Sequence, residues 1–600
     1  MKDAKFLMGN EAIGLAAIRC GVRLVSGYPG TPSTEILETV AKNNPGNIHV
    51  EWSVNEKTAM EVAAAAAYAG ARTMVTMKQV GLNVASDPLM SLAYVGVKGG
   101  MIVVAADDPG PISSQTEQDT RHFAQFAKLP VFDPSSPEEA YDMVEEAFAL
   151  SEKYGKPVIL RPTTRVCHGC ASIELKDALQ LPKPEGFQKD SSRWVIFPRL
   201  SFQNHQKIEA MLPEIGNQFS AMRFNQLSGE GTKGIVTAGI SYEYVREVLP
   251  QDAPVRLLKI GTPHPFPEKL ALQFLDGLTE VLVIEELDPV LERDLLLLCG
   301  KRHLPVKVLG KLTGDAPCAG ENSVEIVRNM LSAFVPLSAS TAAKDEESCP
   351  PLPVRPPVLC AGCPHRASFY AVKRAMQGKK AVFCGDIGCY TLGNAKPLDM
   401  VDTCLCMGAG VTMAQGLQRI DRDAKYFSFI GDSTFFASGL TGVVNAVYNE
   451  ADLTIIVLDN STTAMTGHQP HPGTGRTMMG NIVEKVSIPK ILEAVGVTKV
   501  ITMNPLKLED SIKTVREFSE FPGVKAIIFQ EPCIALVKPE QALSVEKETC
   551  IGCKKCIREL GCPALVQDGE KVAVEPSLCT GCTLCAQVCP VNAIQKNKGV

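Results

Sequence analysis

Between residues 9 and 165, short apolar runs alternate with segments whose apolar residues recur at helical spacing. Residues 22–27, 73–77, 101–106 and 157–160 are bounded by turn residues and read as buried parallel strands. Residues 56–71, with an alanine-rich centre, read as a tightly packed helix. Strand and helix in alternation predict a doubly wound α/β sheet. Residues 182–233 show no such order and read as an irregular segment. A further α/β block spans 234–334 and includes a strand at 280–285. Residues 338–357, rich in Ser, Ala, Pro and charge, read as a mobile linker. A second large α/β block runs from 358 to about 539.

Composition narrows the class. The chain has 600 residues and a net charge of -6, with no basic excess. That balance argues against nucleic acid or an anionic membrane as partner. The first residues carry no charged-then-apolar leader, and no apolar run reaches membrane-spanning length. The expectation is a cytoplasmic protein whose cysteines outside the C-terminal region are thiols rather than disulfides.

The C-terminal fifty or so residues change the picture most. Cys550, Cys553, Cys556 and Cys562-Pro563 form one run; Cys579, Cys582, Cys585 and Cys589-Pro590 form a second. Two ferredoxin-type runs predict two [4Fe-4S] clusters, in which the fourth cysteine of each run ligates the other cluster. Cys589 is therefore paired with Cys550, Cys553 and Cys556, and Cys562 with Cys579, Cys582 and Cys585. The first run has five residues, not three, before its fourth cysteine, which alters a loop rather than the ligand count. A zinc ribbon or disulfide knot fits the paired Cys-Pro endings less well.

In the block after the linker, a strand at 426–430 ends in Gly431-Asp432-Ser433. A helix at 439–449 and a strand at 453–458 follow, ending at Asp459-Asn460. This order resembles the thiamine diphosphate motif. Ligands bind outside the carboxyl ends of parallel strands, where Asp432 and Asn460 can offer hard oxygens to one Mg²⁺ that bridges the phosphates. The resemblance adds a backbone carbonyl near Thr462 and close backbone approach at Gly431. Ser433 stands where many members of that family have glycine. The segments containing Gly385 and Gly408 are rich in small residues; they line a thiamine pocket in similar proteins, or else serve helix–sheet packing.

Thiamine diphosphate chemistry needs a carboxyl group opposite the pyrimidine, with a pKa raised by burial. Glu56 and Glu61, both near the start of the alanine-rich helix, are candidates. Glu56, Gly70-Ala71, the strand 73–77 and Gln79-Val80-Gly81-Leu82 resemble the 2-oxoacid:ferredoxin oxidoreductases, apart from the additional Val80, and favour Glu56. Gly27-Tyr28-Pro29-Gly30-Thr31-Pro32-Ser33-Thr34 resembles that family's Tyr-Pro-x-Thr-Pro-Ser loop, so Thr31 inherits contact with a 2-oxoacid carboxylate.

The resemblance covers essentially the whole chain and, by domain order, is to the large subunit of indolepyruvate:ferredoxin oxidoreductase. It implies a multidomain α/β protein. A pyrimidine-binding-type thiamine diphosphate domain at 1–181 and a transketolase-C-like domain at 182–335 come first. A linker at 336–357, a diphosphate-binding doubly wound domain at 358–540 and a ferredoxin-like α+β domain at 541–600 follow. Arg121, Arg161, Arg165 and His365-Arg366 lie in stretches typical of that subunit and are suited to anions or to structural ion pairs. Cys360-x-x-Cys363 and its neighbours Cys384, Cys389, Cys404 and Cys406 read as thiols around the thiamine pocket rather than a third cluster. Cys167-His-Gly-Cys170 reads as a surface loop.

The implied activity is oxidative decarboxylation of an aryl 2-oxoacid with coenzyme A, electrons leaving through the clusters to an external ferredoxin. A smaller beta subunit is implied as partner, in a hetero-oligomer. A sister enzyme acting on pyruvate or branched 2-oxoacids, and an electron-transfer subunit without thiamine chemistry, are the competing readings.

Overall fold

The computed structural model describes residues 4–335, 352–353 and 355–596, so most of the expected linker lies outside the described residues. The chain divides into two compact units, one through residue 348 and one from residue 349.

Among the described residues the first unit holds a small antiparallel pair, Ala4–Met8 with Cys170–Glu174, and two large sheets. One has six parallel strands in the order His49–Trp52, Leu24–Gly27, Thr73–Lys78, Met101–Ala106, Val158–Leu160 and Val131–Phe132. Met101–Ala106 is buried throughout, as a central parallel strand covered on both faces must be. The helix Glu56–Tyr68 packs on this sheet through Ala59, Met60, Ala63 and Ala67, small side chains that let the helix sit close. Asn55 caps it by accepting the Thr58 N–H at 2.9 Å. The helix stops before Gly70, whose φ of +87° takes the chain out of helical geometry.

The second sheet runs Lys307–Leu309, Glu280–Ile284, Lys233–Thr237, Val255–Lys259 and Gln226–Ser228, parallel except for its last strand. The segment read as irregular instead contains the helix Pro198–Phe219, with Pro198 in its first turn. Its interior Pro213 and a mostly exposed, polar surface hid the helical period. Asn204, Ile208, Ile215 and Phe219 form its thin buried stripe. The Cys167–Cys170 stretch is the junction between the helix Thr164–His168 and the strand Cys170–Glu174, not a free loop. Cys167 is buried there and Cys170 exposed.

The second unit is built on a five-stranded parallel sheet in the order Ala381–Cys384, Lys425–Gly431, Leu453–Asp459, Val524–Gln530 and Lys499–Met503. Lys425–Gly431 and Leu453–Asp459 are neighbours, so their carboxyl ends lie side by side. The helix after the first of them opens with the short turn Asp432–Thr434 and passes through a π-helical turn, Phe435–Gly439, into Leu440–Tyr448. Beyond this sheet come two antiparallel pairs, Leu543–Val545 with the distant Ile594–Lys596, and the hairpin Leu565–Asp568 with Lys571–Val574. The short helices Lys555–Leu560 and Leu584–Val588 complete that region. Among the described residues no helix is long and apolar enough to cross a membrane.

Candidate functional site

In the first unit, Glu56 opens its helix with its side chain buried. Burial pushes its carboxyl up to about 7, against the lowering pull of a backbone hydrogen bond and of Lys78. A Cβ on Gly81 would lie 2.6 Å from Glu56 Oε1, so only glycine lets the chain pass over this carboxyl. Glu61 is half exposed and ion-paired to Lys57 one turn away, a solvated pair of little consequence. Of the two candidates, Glu56 alone has the environment of a proton-sharing acid.

Lys78, which no sequence pattern singles out, ties two of these features together. Its aliphatic stem runs 3.1 Å from the position a Cβ on Gly30 would occupy, and its ammonium donates to Ser113 O at 3.0 Å while acting on Glu56. Thr31, next to Gly30, is half-buried just ahead of the helix Thr34–Lys42. The loop is fixed by Ser33 Oγ donating to Gly30 O at 3.0 Å and by Asn10 Nδ2 donating to Pro32 O at 2.6 Å.

The arginines do different work. Arg121 is buried and bidentate to Asp119, with Nη1 donating to Glu285 Oε2 at 2.6 Å. Arg161 is likewise buried between Asp107 and Asp133. Both are committed to structural ion pairs. Arg165 is half exposed and paired with Glu321.

In the second unit, Asp432 and Asn460 stand at the ends of neighbouring strands, both buried. Asp432 Oδ1 accepts the Ser433 N–H at 2.8 Å, and Oδ2 accepts the Ser461 N–H at 2.8 Å and pairs with His471 Nε2 at 3.1 Å. Burial alone would raise this carboxyl, but His471 and the hydrogen bonds outweigh it and hold it below the usual carboxylate range. Asp459 is pushed up to about 6 by burial and by Asp432 beside it. Asn460 Nδ2 lies 3.3 Å from His365 Nε2, and its Oδ1 accepts the Thr462 N–H at 3.3 Å. The Asp432 carboxylate and the Asn460 amide oxygen, buried at adjacent strand ends, are hard oxygens of the kind a divalent cation takes. His471 was not legible as a neighbour of this loop, because nothing in its spacing ties it there.

The small residues around the loop serve packing as well as access. A Cβ on Gly431 would meet the Tyr390 ring at 2.5 Å, and one on Gly385 would meet Val401 at 2.7 Å. Gly408, with φ +81°, leads into the helix Ala409–Ile420 and donates its N–H to Asp386 Oδ2 at 2.9 Å. Asp386 is fully buried, which pushes its carboxyl up to about 7. Ser433, in the place of a glycine, accepts from Thr463 Oγ1 at 3.0 Å.

The eight C-terminal cysteines fall into two groups. Cys550, Cys553, Cys556 and Cys589 line one cavity, walled by Val545, Val572 and Ile594. Cys582 and Cys585 each feel the charge of both Cys562 and Cys579. Cys589 thus lies with the first run, while Cys562 lies near Cys582 and Cys585, with Cys556 also acting on Cys585. Four thiols around an apolar-walled cavity fit an iron–sulfur cluster, the ligand chemistry that thiolate favours.

Residues 15–206 match the family model for the pyruvate flavodoxin/ferredoxin oxidoreductase thiamine diphosphate-binding region. Residues 386–528 match the C-terminal TPP-binding domain of thiamine pyrophosphate enzymes, and residues 539–596 match the 4Fe-4S dicluster domain. The chain is 42% identical to indolepyruvate oxidoreductase subunit IorA of Methanothermobacter thermautotrophicus, over 99% of this chain and 97% of that protein. It is 39% identical to the same-named subunit of Archaeoglobus fulgidus, again over 99% and 97%. With that of Pyrococcus horikoshii it shares 39% identity over 92% of this chain and 90% of the relative.

Proposed function

The chain belongs to the indolepyruvate oxidoreductase IorA family, and from that premise we propose that it is the large subunit of an enzyme that oxidatively decarboxylates aryl 2-oxoacids such as indolepyruvate. Coenzyme A takes the acyl group, giving an aryl-acetyl-CoA and carbon dioxide, and two electrons leave one at a time to an external ferredoxin. A smaller beta subunit completes the assembly. The observation that carries this reading is the presence, in one unit, of a buried Asp432–Asn460 oxygen set at adjacent strand ends and two four-thiol groups.

Asp432, Asn460 and the Thr462 carbonyl would hold Mg²⁺ with the diphosphate, Gly431 and Ser433 lying alongside. Bound thiamine diphosphate supplies a carbanion nucleophile and an electron sink. The protein's own part is to keep Asp432 charged, through His471, and Glu56 protonated, through burial. Glu56 would share its proton with the pyrimidine, and the hydroxyl of Thr31 would receive the 2-oxoacid carboxylate. Cys550, Cys553, Cys556 and Cys589 would hold one [4Fe-4S] cluster and Cys562, Cys579, Cys582 and Cys585 the other. The finer architecture belongs to the same reading: a transketolase-C-like domain around the sheet containing Lys233–Thr237, and a ferredoxin-like fold around the cysteines.

The test is product analysis. The anaerobically prepared complex, given indolepyruvate and coenzyme A, is expected to yield indoleacetyl-CoA. Free indoleacetaldehyde as the main product, regardless of coenzyme A, would overturn the oxidative reading.

A further inference from the structure

Two consecutive residues of the second unit face two different chemistries. His365 lies 3.3 Å from Asn460 Nδ2, at the oxygen set that ends the parallel strands. Arg366 turns the other way. Its Nη1 donates to Leu560 O and to Gly561 O, the end of the helix just before Cys562, and its Nη2 donates to Leu359 O at 2.6 Å. Leu560, Leu584 and Val588 of the dicluster region share a core with Phe369, Tyr370 and Phe429 of the diphosphate domain, and Cys582 and Cys585 pack against it. The four-thiol group around Cys550, by contrast, is walled by residues of its own region.

The Arg366 side chain is buried, yet its Nε has no acceptor among the described residues. A buried, charged donor without a partner is costly unless something else accepts it. The thiols whose charges act on this guanidinium are Cys562, Cys363, Cys582 and Cys360, with Cys562 the strongest. Two of these belong to the group formed by Cys562, Cys579, Cys582 and Cys585. None belongs to the group around Cys550.

We propose that Arg366 is a positioning residue for electron transfer: it seats the dicluster region on the diphosphate domain, gives its unused Nε–H to a sulfur of the cluster held by Cys562, Cys579, Cys582 and Cys585, and thereby makes that cluster the first electron acceptor. The inference rests on the function proposed above. In that reaction the 2-oxoacid anion and coenzyme A thiol become acyl-CoA, carbon dioxide, one proton and two electrons. The clusters that Cys562, Cys579, Cys582 and Cys585 and the group around Cys550 would hold would carry these electrons one at a time to a one-electron acceptor. A cluster with four thiolates gains negative charge on reduction, so a fixed cation and a hydrogen bond to its sulfur both favour the reduced state. The group around Cys550 has other cations, Lys554 lining its cavity and Arg558 donating to Cys553 O, but not the Arg366 Nε–H.

The experiment is an EPR-monitored redox titration of the full chain with reconstituted clusters, comparing the unaltered protein with Arg366→Met and Arg366→Lys. In Arg366→Met one cluster is expected to become harder to reduce by about tenfold in its reduced-to-oxidised ratio at fixed potential, about 59 mV for a one-electron couple. The other cluster should move far less. Arg366→Lys, which keeps the charge but not the Nε–H, is expected to recover part of the shift. The cluster that shifts should be the one whose signal changes in Cys562→Ala and persists in Cys550→Ala. Equal potentials in all three proteins, or a shift confined to the cluster perturbed by Cys550→Ala, would overturn the proposal. If Arg366→Met does not fold, the Arg366→Lys titration alone decides, since an unchanged potential there removes the Nε–H role. A chain that binds no iron at all would instead refute the function on which the inference rests.

Discussion

Gly81 passes directly over Glu56, so closely that a methyl group on Gly81 would stand 2.6 Å from the carboxyl oxygen Oε1. The glycine leaves the carboxyl its place, and the covering backbone keeps water from it. Gly81→Ala should therefore displace Glu56 rather than simply crowd a helix. The expected result is a large loss of activity with cluster content unchanged, checked by steady-state assay and iron analysis. Glu56→Gln should lower kcat by about 10²–10⁴-fold, the range for loss of a general acid–base group. Glu61→Gln, on the exposed face, should stay within about 0.5 kcal/mol in stability and leave the rate unaltered.

The raised carboxyl of Glu56 carries a pH signature. A carboxyl held at about 7 when folded binds its proton more tightly in the native than in the unfolded chain. Its contribution to stability is therefore fully present below the ordinary carboxylate pKa, falls as pH rises toward 7, and is constant above. Comparing denaturation of the unaltered chain with Glu56→Gln across this range isolates the term, because other buried carboxyls cancel in the difference. The variant should show the shallower fall in stability with rising pH. Parallel curves would contradict the assigned environment.

His471 keeps Asp432 ionised inside a buried loop. Replacing it by Leu removes the partner that helps offset burial, so the Asp432 carboxyl should titrate at higher pH. Mg²⁺ affinity is expected to fall about 10–100-fold, as when other groups that support a metal ligand are removed. The pH at which thiamine diphosphate and Mg²⁺ are released should rise. Calorimetry at several pH values reads both effects.

Arg121 and Arg165 provide a contrast between buried and exposed pairs. Arg121→Ala strands Asp119 and Glu285 in the interior and should cost about 3–5 kcal/mol. Arg165→Ala loses one exposed pair with Glu321 and should cost at most about 1 kcal/mol. Urea denaturation measures both. A rise in KM with Arg165→Ala at unchanged stability would return that residue to substrate binding.

Much of this architecture was legible in the chain, for physical reasons that differ between regions. The cysteine runs declare their chemistry locally, because cluster loops fix both spacing and residue type. Strands such as 101–106 are legible because a parallel strand covered on both faces must be apolar throughout. Glu56 was legible through the glycine and alanine residues that surround it, whereas Lys78 was not, since its role depends on where its stem lies across Gly30. The helix Pro198–Phe219 was missed because most of its surface faces water and a proline interrupts its pattern. Arg121 and Arg161 show the limit of motif reading: an arginine suited to a phosphate is equally suited to a buried carboxylate, and only the fold decides. His471 reaches Asp432 across 39 residues of chain, a relationship that no local pattern encodes.

Anaerobic reduction of ferredoxin by the purified chain and its smaller partner subunit, comparing indolepyruvate with pyruvate, with and without coenzyme A, decides the reaction. The expected result is coenzyme A-dependent reduction that favours indolepyruvate. Reduction favouring pyruvate would keep the mechanism and contradict the aryl substrate. No reduction with either, in protein that carries both clusters and stoichiometric thiamine diphosphate, would contradict the account itself.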